Sequence, residues 1–274
     1  FREVAANSFG LSDIKAFRWG EDNDAIDKFI DIEAGADILA ANQLQDSRQR
    51  GLIAALKPRQ FMFYDNGLSS YASHDIDINS WIAGMPECRR FAAYLSCARE
   101  FGVPPYLRAF AVASLTPDAL KKSAHDIRNA CVSRQDVLSS NAVVILGTSF
   151  DRTNIISADE EHILHKQMID AIRKQQGGPY FFKPHPRANQ AYLADEDDVK
   201  TLPTELPVEV YISGSGGTAY SFSSTALFTL PMMFGWRAYR VAHPLMEKVF
   251  RARPQLAKIS VMSPSFELEN LDAI

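Results

Sequence analysis

The chain of 274 residues is 46% hydrophobic and 23% charged, an ordinary globular composition with length enough for two domains or one large α/β domain. Its formal net charge of −4 speaks against recognition of a polyanion such as nucleic acid, although a few local cations and helix N-termini suffice for a small anionic ligand. Three cysteines, Cys88, Cys97 and Cys131, form no C-x-x-C pair and read as thiols in a reducing compartment; no apolar run approaches the roughly 18–20 residues needed to span a bilayer, and no signal-peptide pattern opens the chain.

The chain begins on Phe1 rather than Met, within what reads as an element already under way, so an N-terminal piece is expected to precede it. Apolar residues at three- and four-residue spacings predict helices over residues 25–32 and 42–56. Lys57-Pro58-Arg59 breaks the second of these. The apolar run at residues 60–64 then reads as a buried strand, stopped by Asp65-Asn66-Gly67. A helical pattern returns over residues 80–131, interrupted by Gly102-Val103-Pro104-Pro105 and by Thr116-Pro117, an N-cap followed by proline at the first helical position. Residues 132–140 are polar and contain serines, the pattern of an interdomain linker.

The second half is patterned more sharply. Residues 141–146 form a continuous β-branched apolar run ended by Gly147-Thr148, as expected of a parallel strand buried on both faces. Ser157 and Glu160 form a capping box, and the helix they open is expected to end at Gly177-Gly178. Residues 179–183 read as the next strand, running into Pro184-His185-Pro186-Arg187. A short helix is expected over residues 206–212, a further helix after Ser223-Ser224-Thr225, and a strand over residues 236–241. Strand and helix alternating in this order predict a parallel, doubly wound α/β sheet.

Ligands bind such sheets beyond the C-terminal strand ends. Asp65-Asn66-Gly67, Gly147-Thr148, His185-Pro186 and Ser223-Ser224-Thr225 each follow a strand-like run, so all are candidates for one crevice. Ser223, Ser224 and Thr225 put hydroxyls and N–H groups at a helix N-terminus, which suits a phosphate, although simple capping accounts equally for the residue types. His185 is clamped by prolines and can donate to, or protonate, a departing phosphate near neutral pH; an ordinary hydrogen-bonded loop histidine is the alternative. Asp65 could take a proton from a hydroxyl nucleophile, or simply satisfy the backbone of a turn. The stretch Ser213-Gly214-Ser215-Gly216-Gly217 is not a P-loop, and Gly147-Thr148-Ser149-Phe150-Asp151 fails as a nucleophile elbow at its last position. His162 and His165 stand three apart on a helix without a partner set for a metal and read as helix-face residues.

Taken together, these segments resemble the bacterial sialyltransferases with two facing Rossmann-like domains, a group that includes capsular polysialyltransferases, lipooligosaccharide sialyltransferases and multifunctional sialyltransferases. The group shares an acidic-acidic-glycine motif, a His-Pro motif and a downstream serine pair. Here these stand in order as Tyr64-Asp65-Asn66-Gly67, Lys183-Pro184-His185-Pro186-Arg187 and Phe222-Ser223-Ser224-Thr225, with Pro207-Val208-Glu209-Val210 where the multifunctional enzymes have a ribose-binding glutamate. The resemblance covers residues 61–230 and departs at Asn66, which stands where the second acidic residue is usual.

The resemblance implies a GT-B architecture, with a helix-rich acceptor-side domain at residues 1–138 facing a nucleotide-donor domain at residues 139–274 across a cleft. It implies an inverting glycosyltransferase that moves sialic acid from CMP-sialic acid to a hydroxyl of a capsule or lipooligosaccharide glycan. Asp65 would be the general base, with Asp151, Asp159 and Glu160 in reserve. His185 would assist departure of the phosphate. Gly147, Thr148, Pro186, Ser223, Ser224 and Thr225 would line the donor site, and Glu209 would hold the ribose. No cofactor and no metal would be needed, because protein donors neutralise the single leaving phosphate. The expected place is the cytoplasm, with peripheral association at the inner face of the membrane. Two alternatives stay open: transfer from another cytidine-activated donor (Kdo, legionaminic acid or glycerol phosphate), and a non-catalytic nucleotide- or glycan-binding protein on the same scaffold.

Overall fold

Among the described residues, four short runs in the first half and five in the second pair as parallel strands, in two sheets. The computed structural model describes residues 38–41, 47–64, 89–95, 111–115, 117–133, 136–188, 192–254 and 256–257. Residues 2–116 and 117–274 form two compact units.

The first unit holds β1 (Ile38–Ala41), α1 (Ser47–Leu56), β2 (Gln60–Tyr64), β3 (Arg89–Leu95) and β4 (Ala111–Leu115). The sheet runs β1-β2-β3-β4, all parallel. α1 ends where Lys57 takes a positive φ of 44° and Pro58 follows, a left-handed stop that a proline seals. Ile53 and Leu56 of α1 are buried with Phe61 of β2. The helical pattern expected over residues 80–131 is corrected here. Among the described residues of that range, β3 and β4 are strands and residues 117–131 are helical. Their alanine-rich sequences, RRFAAYL and AVASL, lack the β-branched enrichment that separates a short buried strand from a helix segment.

The second unit begins with α2 (Pro117–Cys131), whose proline stands at the first helical position as expected. There follow β5 (Val143–Leu146), α3 (Ala158–Gln175), β6 (Tyr180–Lys183), β7 (Val199–Thr201), α4 (Val208–Tyr211), β8 (Thr218–Ser221), α5 (Ala226–Phe234), β9 (Arg237–Arg240) and α6 (Pro244–Ala252). The sheet order is β7-β6-β5-β8-β9, every pair parallel. β5 therefore sits at the centre, and the chain steps to one side for β6 and β7 and to the other for β8 and β9.

Alternation along the strands divides the side chains between two layers. Val144, Leu146, Phe181, Ala219 and Ala238 join a core with residues of α2, α4 and α5. Val143, Ile145, Tyr180, Phe182 and Tyr220 join another with residues of α3 and α6. Because both faces are covered, β5, β6 and β8 are buried at every position. α2 belongs to this unit: Ala124 lies in its core and Arg128 donates to the Ile212 carbonyl. The compact units divide before α2. Within the stretch read as a linker, Leu138 is fully buried and exchanges hydrogen bonds with Tyr211 and Ser213. The glycine-rich stretch has a packing reason: a Cβ on Gly217 would lie 2.5 Å from the Trp236 ring.

The capping box at the start of α3 forms as read. Glu160 N–H donates to Ser157 Oγ at 3.1 Å and Ser157 N–H to Glu160 Oε2 at 2.6 Å. Further along α3, His165 is fully buried, stacked on Tyr192 at 5.0 Å and edge-on to Phe182 and Phe222. Its Nδ1–H donates to the Glu161 carbonyl at 2.8 Å. Nε2 has no hydrogen-bond partner among the described residues. Burial pushes this imidazole down to about 4 from its ordinary 6.5.

The unfolded chain therefore takes up a proton that the folded chain refuses between about pH 6.5 and 4. Stability should fall as the pH drops through that window, by about 3 kcal/mol for this one group. Urea melts from pH 7 to 4 should show the loss, and His165→Phe should flatten the slope. An unchanged slope in the variant would assign the acid sensitivity to other groups.

Candidate functional site

β6, β5 and β8 lie side by side, and all three end at the same edge of the sheet. This is the switch point of the strand order, with β6 on one side of β5 and β8 on the other, the place where open parallel sheets bind ligands. Gly147-Thr148 follows β5, Pro184-His185-Pro186 follows β6, and Phe222-Ser223-Ser224-Thr225 follows β8. The second-unit segments singled out in the sequence are thus brought to one edge. Asp65, with Asn66 and Gly67, lies outside the described residues; the strand that leads to it, β2, is present.

The three strand ends are stitched together by short polar links. Gly147 N–H donates to the Lys183 carbonyl at 2.9 Å. Ser221 Oγ donates to the Leu146 carbonyl at 3.0 Å and accepts from Ser223 N–H at 3.3 Å. Gly147 has no room for a side chain, because a Cβ would stand 3.0 Å from the Phe182 ring and 3.1 Å from His185 N. Glycine here lets the two loops close on each other.

His185 is half-buried, and its Nδ1 accepts from Arg187 N–H at 3.1 Å. In the neutral ring the proton therefore sits on Nε2, leaving that nitrogen as the donor. Burial, and then the Arg187 and Lys183 charges, hold the imidazole below its ordinary value. Pro186 is exposed. Lys183, which the sequence reading left without a role, is buried at the end of β6, with its ammonium 3.4 Å from the Pro184 carbonyl. Burial pushes it down to about 8, against the pull of Glu205 and Glu209. Glu209, on α4, accepts from the Thr229 hydroxyl of α5.

Ser223, Ser224 and Thr225 are half-buried ahead of α5. Ser224 acts as a cap, its Oγ accepting from Ala226 N–H at 3.2 Å and its carbonyl from Leu227 N–H at 3.2 Å. Thr225, at the N-cap position, makes no side-chain capping bond. The hydroxyls and the amide end of α5 thus stand beside the β8 strand end, as expected.

The sequence reading missed Glu161, a fully buried carboxylate on α3. Its Oε1 accepts from Thr148 Oγ1 at 2.5 Å and Phe150 N–H at 3.1 Å. Its Oε2 accepts from Asp151 N–H at 2.6 Å and the Tyr192 hydroxyl at 3.2 Å. Burial pushes the carboxyl above the usual range, with the Asp151 charge adding to it and the Thr148, Asp151 and Phe150 donors opposing it. The Thr148 side chain is therefore committed inward. A glutamate in the first turn of a capped helix looks like dipole compensation. Its one distinguishing signal was the spacing to His165, which puts both on one face of α3.

The reserve acids lie nearby with their own tasks. Asp151 is buried and accepts from Arg152 N–H at 2.7 Å, Asp159 is exposed in the first turn of α3, and Glu160 closes the capping box. Arg152 Nε donates to the Arg187 carbonyl at 2.8 Å, joining the loops after β5 and β6 a second time.

Comparison with known proteins gives a match over residues 29–243 to the family described as Alpha-2,8-polysialyltransferase (POLYST). Among solved structures, the chain is similar to residues 113–497, the GT-B domain, of a sialyltransferase from Photobacterium damselae. The identity is 13% and the TM-score 0.47, over 89% of this chain and 81% of that one. No curated protein matches the chain. No helix among the described residues is long and apolar enough to cross a membrane.

Proposed function

The chain belongs to the alpha-2,8-polysialyltransferase family, and we propose that it moves sialic acid from CMP-sialic acid to a hydroxyl of an acceptor glycan, holding the leaving phosphate at the C-terminal edge of β5, β6 and β8. The observation that carries this reading is the convergence of two anion-suited groups at the switch point of the second sheet. They are the Nε2 donor of His185 and the hydroxyls of Ser223 and Ser224 at the start of α5.

In the reaction, the acceptor oxygen attacks the anomeric carbon, the bond from that carbon to the phosphate oxygen breaks, and CMP departs with inversion. Asp65 takes the acceptor proton. His185 donates from Nε2 to the phosphate as its charge develops. The Lys183 ammonium adds positive charge at the same strand end, and Glu209, already oriented by Thr229, receives the ribose.

No metal takes part in this scheme, because these donors neutralise the single phosphate. Asp-x-Asp triplets of the kind that hold metal-bound nucleotides elsewhere do occur. Asp195-Glu196-Asp197 lies just before β7, at the opposite edge of the sheet, with Glu196 paired to Lys166 and Arg173. Asp22-Asn23-Asp24 and Asp75-Ile76-Asp77 lie outside the described residues.

One assay of CMP release from CMP-sialic acid tests the roles together. His185→Ala should cut turnover by about 100-fold or more, and Asp65→Asn by about 10²–10⁴-fold with CMP affinity nearly unchanged. Turnover should persist in EDTA. Near wild-type rates in Asp65→Asn would move the base to Asp151, Asp159 or Glu160. Activity abolished by EDTA and restored by Mg²⁺ or Mn²⁺ would contradict the metal-free scheme. Release from other cytidine-activated donors, but not from CMP-sialic acid, would overturn the donor assignment.

A further inference from the structure

Glu161 takes no part in the steps above, yet its buried carboxylate accepts four hydrogen bonds, three from the loop after β5 and one from Tyr192, beyond the His185 loop. We propose that Glu161 is the positioning residue of the donor site, tying the loop after β5 to Tyr192 and so holding the arrangement that presents His185 to a phosphate. The proposal rests on the nucleotide reading of this edge.

Each carboxylate oxygen receives one backbone N–H, from Phe150 on Oε1 and from Asp151 on Oε2. These donors cannot be turned round, whereas the Thr148 and Tyr192 hydroxyls can. A group at this position must therefore accept on both of its terminal atoms, which a carboxylate does and an amide does not. In Glu161→Gln, either orientation of the amide sets its NH₂ against a backbone N–H. The strain falls on residues 148–151, directly after Gly147, whose backbone lies against Phe182 and His185 N. On the other side, Tyr192 stacks on His165, so its hydroxyl bond is made by a ring already held from below. The two ties reinforce each other, and Arg152 to the Arg187 carbonyl makes a third link between the same loops.

The test compares wild type, Glu161→Gln and Glu161→Asp with Val249→Ala, a truncation at a fully buried position of α6 outside the site. CMP affinity is measured by calorimetry, and amide hydrogen exchange is followed across residues 147–152 and 185–193. Glu161→Gln should bind CMP about 10-fold more weakly or worse, the scale of losing one charge-assisted hydrogen bond. It should also lose exchange protection in both loops. Glu161→Asp should recover part of each, and Val249→Ala should lower the melting temperature without changing CMP affinity. Wild-type affinity and protection in Glu161→Gln would overturn the proposal. So would an equal affinity loss in Val249→Ala at the same loss of melting temperature, since the effect would then be stability alone. If the wild-type chain itself fails to bind CMP, the nucleotide reading falls, and the exchange data alone decide whether Glu161 holds the two loops.

Discussion

A carboxylate taken out of water must find donors, and at Glu161 that requirement shapes the candidate site. The donors come from Thr148, Phe150, Asp151 and Tyr192, so the loop after β5 has to fold back over the start of α3. That folding leaves Gly147 against Phe182 and His185. Leaving such a buried group unpaired would cost more than any one of the bonds contributes, so the arrangement is specified all at once rather than bond by bond. The capping box of Ser157 and Glu160 fixes where α3 begins, and hence where Glu161 sits.

Around this anchor the sheet supplies the rest. Because β5 is central, with β6 on one side and β8 on the other, the ends of β5, β6 and β8 share one edge. A site built on strand ends is held by the cores on both faces. Its parts are modest individually: a half-buried imidazole, a serine pair ahead of a helix, a buried ammonium and a glycine without space for a side chain. Adjacency at a switch point brings together groups whose chemistry suits a phosphate. Burial, and then the Arg187 and Lys183 charges, hold the His185 imidazole below its ordinary value; the negative charge of a phosphate would pull it the other way.

Much of this was legible in the sequence where local signals were strong. The apolar run that became β5, the capping box of α3 and the strand before the His-Pro motif were read correctly because burial on both faces and cap chemistry leave marks within a few residues. β3 and β4 were read as helix because alanine-rich runs carry no such mark, and their strand state is set by pairing with neighbours. β7, three residues at the sheet edge, offers too little pattern to see. Glu161 was hidden for a different reason. A glutamate in the first turn of a helix is common as a surface residue, and its burial depends on a loop preceding the helix and a tyrosine far beyond it.

The central claim is that a nucleotide's phosphate occupies this edge. The most direct measurement is a structure of the chain with CMP bound. The account predicts phosphate oxygens within about 2.7–3.2 Å of His185 Nε2 and of a hydroxyl or N–H of Ser223 or Ser224, with the loop after β5 and its bonds to Glu161 unchanged. CMP bound at another edge of the sheet, or at this edge with its phosphate turned away from His185 and the serine pair, would contradict it.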